Sequence, residues 1–229
     1  MLLSAQKEIG WRKWVAGKAL PLALCTLIAI AIGRNVLDDV SGLASEAVLL
    51  YPILGLARHV LTLAFVLLIA FSYLTRSRVV TSARGFWERV FPILVLVAGP
   101  VGVALLGRQE MPRRLNLAAV GLILSLSGAS VSVWALRHLR TSFSIMAEGR
   151  RPITSGPYRH IRHPLYLGEA LMMLGLCLMI GTVAAALFWS AYSVLQLVRA
   201  RVEEEKLSRQ FKEYRDYKAR TRFIIPGLY

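Results

Sequence analysis

The sequence predicts an all-α, polytopic transmembrane helical bundle of about six spans, with a C-terminal helical hairpin and a cytoplasmic tail. Three observations carry that reading. Of the 229 residues, 56% are hydrophobic, and the mean hydropathy is +0.54. The apolar residues come in long continuous runs, not at the alternating or 3.6-residue spacing of a half-buried soluble element. The formal charge of +15 lies between those runs instead of gathering on one soluble domain. A soluble domain of this length has no use for such runs, whereas one helical bundle in lipid accommodates all of them.

A bilayer core about 30 Å thick needs about 20 apolar residues of helix. In chain order the candidate spans are Ala19–Gly33, Ala47–Leu74, Val90–Gly107, Leu115–Leu136, Leu165–Ile180 and Thr182–Val198. The first follows a basic, amphipathic stretch and ends without a small-residue cleavage signature, so it reads as a retained span. Arg58 and His59 interrupt the second. Charge at membrane depth is costly, so the expectation is that Ala47–Ala57 lies at the interface and the span proper begins near Val60. Pro52, Pro92 and Pro100 mark kinks or span starts. The last two runs are separated only by Gly181 and its neighbours; they read as a helical hairpin, with one long kinked helix as the alternative.

Charge then assigns the sides. Lys7, Arg12, Lys13 and Lys18, the loop with Arg76, Arg78, Arg84 and Arg89, the segment Arg137–Arg162 and the tail all fall on the cytoplasmic side. The opposite side holds Arg34, Arg108, Arg113 and Arg114 beside Asp38, Asp39, Glu46 and Glu110. An even number of spans places both termini in the cytoplasm. No nucleic-acid-binding motif accompanies the basic charge, so nucleic acid is excluded as a partner. Cys25 and Cys177 each sit inside an apolar run, without paired spacing or nearby His, and support neither a disulfide framework nor a metal site.

Two clusters concentrate chemistry. The segment Thr141–His163 is a long non-apolar connection, and its end, Thr154-Ser155-Gly156-Pro157-Tyr158-Arg159-His160-Ile161-Arg162-His163-Pro164-Leu165-Tyr166-Leu167-Gly168, packs cations, aromatics and turn residues together. Gly156-Pro157 fixes a turn, and Pro164 suits the first position of the next helix. Arg162 and His163 then stand at a helix mouth that can hold an anion; a plain headgroup anchor is the competing reading. The second cluster is Arg199-Ala200-Arg201-Val202-Glu203-Glu204-Glu205-Lys206-Leu207, where Arg199 and Glu203 are four apart and share a helical face. Beyond it, Phe211, Tyr214, Tyr217 and Thr221-Arg222-Phe223-Ile224-Ile225-Pro226-Gly227 supply aromatics that could fold the tail back on the bundle.

In this order the clusters resemble the isoprenylcysteine carboxyl methyltransferase and phospholipid methyltransferase superfamily, in a bacterial-type form. The resemblance covers about the last hundred residues. It implies a methyltransferase-like catalytic region at 111–229, behind N-terminal spans at 1–110 that match nothing, in a bacterial cytoplasmic membrane. It also implies S-adenosylmethionine as cofactor, held by Tyr158, Arg159, Arg162, His163, Pro164, Tyr166 and Gly168 on one side and by Glu203 and Glu204 on the other. The cofactor carries a carboxylate, an ammonium and a sulfonium, so cations, anions and aromatics are needed together. Two departures stand out: Lys212 replaces the glycine that often follows the tail Phe, and Arg150-Arg151-Pro152-Ile153-Thr154 replaces the His before Val-Thr-Ser-Gly of eukaryotic carboxyl methyltransferases.

The implied reaction is an in-line displacement by a nucleophile on an amphiphile, a lipid-like or prenylated small molecule entering from the bilayer. A carboxylate nucleophile needs no base, and Arg199 could orient it; an amine or thiol needs one, with His163 or Glu203 as candidates. Two other classes remain beside this one. One is an NADPH-dependent, sterol-reductase-like membrane oxidoreductase; the other is a non-enzymatic membrane protein that keeps the fold.

Overall fold

The computed structural model describes residues 2–43, 50–75, 85–107, 115–139 and 153–224. Seven α-helices make up the framework: α1 (Leu2–Gly42), α2 (Leu50–Thr75), α3 (Phe91–Leu106), α4 (Leu115–Leu139), α5 (Pro164–Ile180), α6 (Val183–Gln210) and α7 (Lys212–Arg220). A π-helical turn, Phe86–Val90, leads into α3, and a 3₁₀ turn, Gly156–Arg159, precedes α5. No strand is named among the described residues, and one isolated parallel bridge joins Ile161 to Arg222. Arg76, Arg78, Arg84, Glu46, Arg108, Glu110, Arg113, Arg114, the stretch 141–152 and Ile225-Pro226-Gly227 lie outside the described residues.

Each apolar run becomes a helix, but two helices run well past their runs. α1 continues through Arg34, Asp38 and Asp39, and α6 continues through Arg199, Glu203 and Glu204. Charged residues end an apolar span without opposing helical backbone, since Arg, Lys and Glu are good helix formers. Two helices, Leu115–Leu139 and Val183–Gln210, are long and apolar enough to cross a membrane; Pro52–Leu67, Phe91–Leu106 and Pro164–Ile180 are shorter apolar helices.

The closest packing lies between α4 and α5. Gly121, Ser125, Gly128 and Ser132 form a buried stripe of small residues along α4. A Cβ on Gly121 would stand 2.6 Å from the Gly175 carbonyl oxygen, and one on Gly128 would stand 2.6 Å from that of Gly168. Small residues that let two backbones approach this closely are a common means of joining apolar helices. Ser125 Oγ adds a 3.3 Å hydrogen bond to the Met172 carbonyl.

α5 and α6 form the expected hairpin. Gly181 takes a left-handed conformation (φ 67°) that stops α5, and the Thr182 side chain caps α6 by accepting from the Ala185 amide at 3.2 Å. Trp189 Nε1 donates to the Ala170 carbonyl at 3.1 Å and holds the two arms together.

α2 runs unbroken through Arg58, and the side chain is 4% exposed. Its Nη2 lies 3.2 Å from His59 Nε2, and His59 Nδ1 lies 2.6 Å from Asp39 Oδ2 at the end of α1. A Cβ on Gly107 would overlap Arg58 Nη1, so the guanidinium sits against the last turn of α3. The nearby Asp39 works against the cost of burying this cation without cancelling it, and the negative carbonyl end of α3 acts in the same direction as Asp39. Arg58 is therefore packed among α1, α2 and α3, at the level where α1 and α3 end.

Candidate functional site

The loop before α5 and the tail after α6 meet as two extended strands of backbone. Arg162 N donates to the Arg222 carbonyl at 2.8 Å, His163 N to that of Phe223 at 3.2 Å, and Arg222 N to that of His160 at 3.4 Å. Tyr217 on α7 reinforces the junction by donating its hydroxyl to the Tyr158 carbonyl at 2.6 Å. The aromatic tail thus folds back on the bundle, beneath the mouth of α5.

Glu204 fastens this junction. Arg162 Nε donates to its Oε1, His163 Nε2 lies 3.3 Å from the same oxygen, and Lys218 Nζ lies 2.9 Å from Oε2. Arg162 also reaches the carbonyls of Lys218, at 3.0 Å, and Thr221. Glu204 belongs to the charged second half of α6, beyond the apolar run that ends at Val198. Burial alone would raise its pKa, but hydrogen bonds from His163 and Lys218, the His163 charge and the Arg162 hydrogen bond outweigh it and lower the carboxyl to about 2. Each carboxylate oxygen is occupied by side chains of this chain. Tyr217 is pushed up to about 12, chiefly by burial, with the Thr221 hydrogen bond acting the other way.

Glu203, the neighbouring acid, points elsewhere. Successive helical residues are turned by about 100°. Its Oε2 accepts a 2.8 Å hydrogen bond from the Tyr166 hydroxyl. The Tyr166 ring carries the Arg199 guanidinium over one part of it, 4.9 Å from the centroid, and stacks with His163 at 5.3 Å. Arg199 Nη1 donates to Gln196 Oε1 at 3.4 Å, and Gln196 Nε2 donates to Glu169 and to the Tyr192 hydroxyl, 3.1 Å away. Tyr158 is buried beside this chain of groups; its hydroxyl has no hydrogen-bond partner among the described residues, and burial followed by the charge of Glu203 pushes its pKa well up.

The residues named from sequence therefore divide. Arg162, His163 and Glu204 form the clasp; Tyr158, Tyr166, Arg199 and Glu203 lie in a second, largely buried cluster beside it. Pro164 is buried at the first position of α5, with His163 as the cap residue. Gly168 faces α4, where an added Cβ would stand 2.8 Å from the Gly128 carbonyl, so it serves helix packing. Arg159 is exposed and stands apart from both groups. Lys218, Glu169 and Gln196 were not anticipated. The spacing held a signal for two of them: Glu169 is an acid inside an apolar run, three residues after Tyr166, and Gln196, Arg199 and Glu203 repeat at helical intervals on one face.

Comparison with known proteins bears on the same region. Residues 116–214, from the start of α4 into α7, match the family model described as phospholipid methyltransferase. The nickel-cobalt-cadmium resistance protein NccN of Alcaligenes xylosoxydans xylosoxydans is 30% identical over 161 residues, covering 69% of this chain and 68% of that protein. The cobalt-zinc-cadmium resistance protein CzcN of Cupriavidus metallidurans is 30% identical over 162 residues, covering 69% of this chain and 67% of that protein. The chain belongs to the phospholipid methyltransferase family, a family of membrane methyltransferases within the isoprenylcysteine carboxyl methyltransferase-like superfamily.

Proposed function

We propose that the protein is a multi-pass membrane methyltransferase that uses S-adenosylmethionine to methylate an amphiphilic acceptor drawn from the bilayer. The observation that carries this reading is the cluster of charged and aromatic side chains beside the clasp. Arg199, Glu203 and the Tyr166 ring converge there, and the buried Tyr158 hydroxyl is left without a partner among the described residues. That donor set fits the cofactor: a guanidinium for its carboxylate, a carboxylate for its ammonium and an aromatic face for its sulfonium. When bound, the cofactor supplies an activated methyl group. The residues of the chain position it, with Glu203 held by Tyr166 and Arg199 held over the same ring. The clasp closes the cytoplasmic end, which limits the access of water to the reacting pair. Glu204 supports the site by holding the tail and needs no contact with the cofactor to do so.

Calorimetry with S-adenosylhomocysteine on detergent-purified protein tests the reading. Saturable binding is expected, with a loss of about tenfold or more in Glu203→Gln, the scale of one charge-assisted contact. NADPH binding with none of S-adenosylhomocysteine would move the chain to the reductase class. The relatives' names associate them with resistance to nickel, cobalt, zinc and cadmium. Growth of a disruption strain on those ions is the physiological counterpart of the binding experiment.

A further inference from the structure

The apolar run of α6 ends on exposed side chains: Val194, Leu197 and Val198 all face outward. Arg201, also exposed, follows three residues beyond Val198, a rise of about 4.5 Å. In a helix that crosses a bilayer this change marks the passage from hydrocarbon into the headgroups, a layer about 5–8 Å deep on each side.

The tail returns to the same level. From Val198 to Gln210, α6 carries the chain about 18 Å further out, and α7 brings it back. Arg222 N then donates to the His160 carbonyl at 3.4 Å, beside the mouth of α5. Phe223 ties the two elements together: the guanidinium carbons of Arg162 and Arg201 each stand 5.6 Å from its ring centroid.

Four exposed arginines gather here: Arg201 on α6, Arg220 and Arg222 on the tail, and Arg159 next to the His160 that Arg222 meets. Arg220 Nε donates to the Asp216 carbonyl at 3.2 Å, but none of the four has an acidic side-chain partner among the described residues. The acids of this stretch are engaged elsewhere. Glu203 is held by Tyr166, Glu204 belongs to the clasp and Glu205 pairs with Arg209. Like charges drawn together at a headgroup layer favour anions between them, and the planar donors of a guanidinium match the oxygens of a phosphate.

We infer that Arg159, Arg201, Arg220 and Arg222 form a docking surface for the phosphates of anionic phospholipids in the leaflet that α6 leaves. Headgroups rather than free phosphate are its partner, because the exposed Val194, Leu197 and Val198 put the surface where lipid phosphates are concentrated. The four residues belong to α6, the tail and the loop before α5, so a headgroup that bridges them fastens the tail to the bundle beside the clasp. Such a lipid is a partner of the surface and not the methyl acceptor. The inference rests on the membrane reading above and is independent of methyl transfer.

Hydrogen exchange on the full chain in lipid nanodiscs tests it. Discs of zwitterionic phosphatidylcholine are compared at low salt with discs in which half of the lipid is phosphatidylglycerol. Each basic residue near an anionic surface contributes roughly a factor of five. Amides of the tail, 212–224, are therefore expected to exchange about tenfold or more slowly in the anionic discs, with α4 and α5 equally protected in both. Salt at about 0.5 M should erase most of the difference. Arg201→Gln, Arg220→Gln and Arg222→Gln combined should abolish the lipid dependence, and the three Lys replacements should retain it. Arg209→Gln, at an exposed arginine already paired with Glu205, should behave as wild type. Equal exchange in both discs, a dependence that survives the Gln replacements, or one lost in the Lys variant would each overturn the inference. So would inorganic phosphate that slows the tail in zwitterionic discs as far as the anionic lipid does. Failure of the chain to enter discs at all would instead sink the membrane reading.

Discussion

Glu203 and Glu204 are adjacent in sequence and chemically distinct in the fold. The first is held by one tyrosine beside Arg199, whereas the second is saturated by Arg162, His163 and Lys218. Replacing both at once would therefore mix two effects. Glu204→Gln takes the counter-charge from the buried Arg162 and His163, and losing one partner of a buried pair costs about 3–5 kcal/mol, whereas the half-exposed Lys218 adds little. The loss should fall on the tail. Hydrogen exchange is expected to quicken across α7 while α4 and α5 keep their protection; unchanged protection of α7 would show that the clasp does not hold it. The same carboxylate predicts an acid limit. Its folded pKa of about 2 lies below the ordinary value of 4.5, so its contribution is complete above pH 4.5 and is lost as pH falls toward 2. Tail protection should decline over that window in wild type and be flat across it in Glu204→Gln.

Helix lengths explain what could be read in advance and what could not. The apolar runs gave every helix from α2 to α6 its place, because continuous burial in protein or lipid is written directly in composition. The hairpin was legible in Gly181, whose positive φ only glycine adopts without strain. The continuation of α6 beyond Val198 was legible in the helical spacing of Arg199 and Glu203, although a change from apolar to charged side chains ends the span there. That continuation is what places Arg199, Glu203 and Glu204 on one rigid rod with Tyr192 and Gln196. The α4–α5 contact was hidden, because Gly121, Ser125, Gly128 and Ser132 read as neutral residues until a partner with Gly168 and Gly175 is known. Two substitutions separate the two kinds of helix glycine. Gly175→Ala would place a methyl group 2.5 Å from the Ser125 amide nitrogen, and overpacking of this kind costs about 1–3 kcal/mol. Gly33→Ala in α1 meets nothing within 4 Å and should be stabilising by up to about 1 kcal/mol of helix propensity. Thermal unfolding in detergent should move down for the first and up or not at all for the second; the same direction for both would mean that α4 and α5 do not touch there.

The N-terminal helices are tied to the site region by charge as well as by packing. Lys206, three residues beyond Glu203 on α6, lies 2.5 Å from Glu88 in the turn that enters α3. Gly99 and Gly102 of α3 also admit Tyr192 and Phe188 of α6, so α3 is one wall of the region that holds Gln196 and Arg199. This joint matters for topology. If α6 leaves the membrane on the cytoplasmic side, the start of α3 must lie there too, and the end of α1, with Asp38, Ser41 and Gly42, falls on the opposite side. Cysteine labelling checks both ends at once. The native Cys25 and Cys177 are 3% and 4% exposed, so they give a low background to an impermeant thiol reagent. Ser41 and Lys212 are both exposed positions. Ser41→Cys is expected to react in intact cells, and Lys212→Cys only after the membrane is opened. Labelling of Lys212→Cys from outside would reverse the orientation, and with it the side of the membrane on which the clasp lies. Labelling of both from the same side would instead break the even-span arrangement and require one of the shorter apolar helices, α3 or α5, to turn back within the membrane.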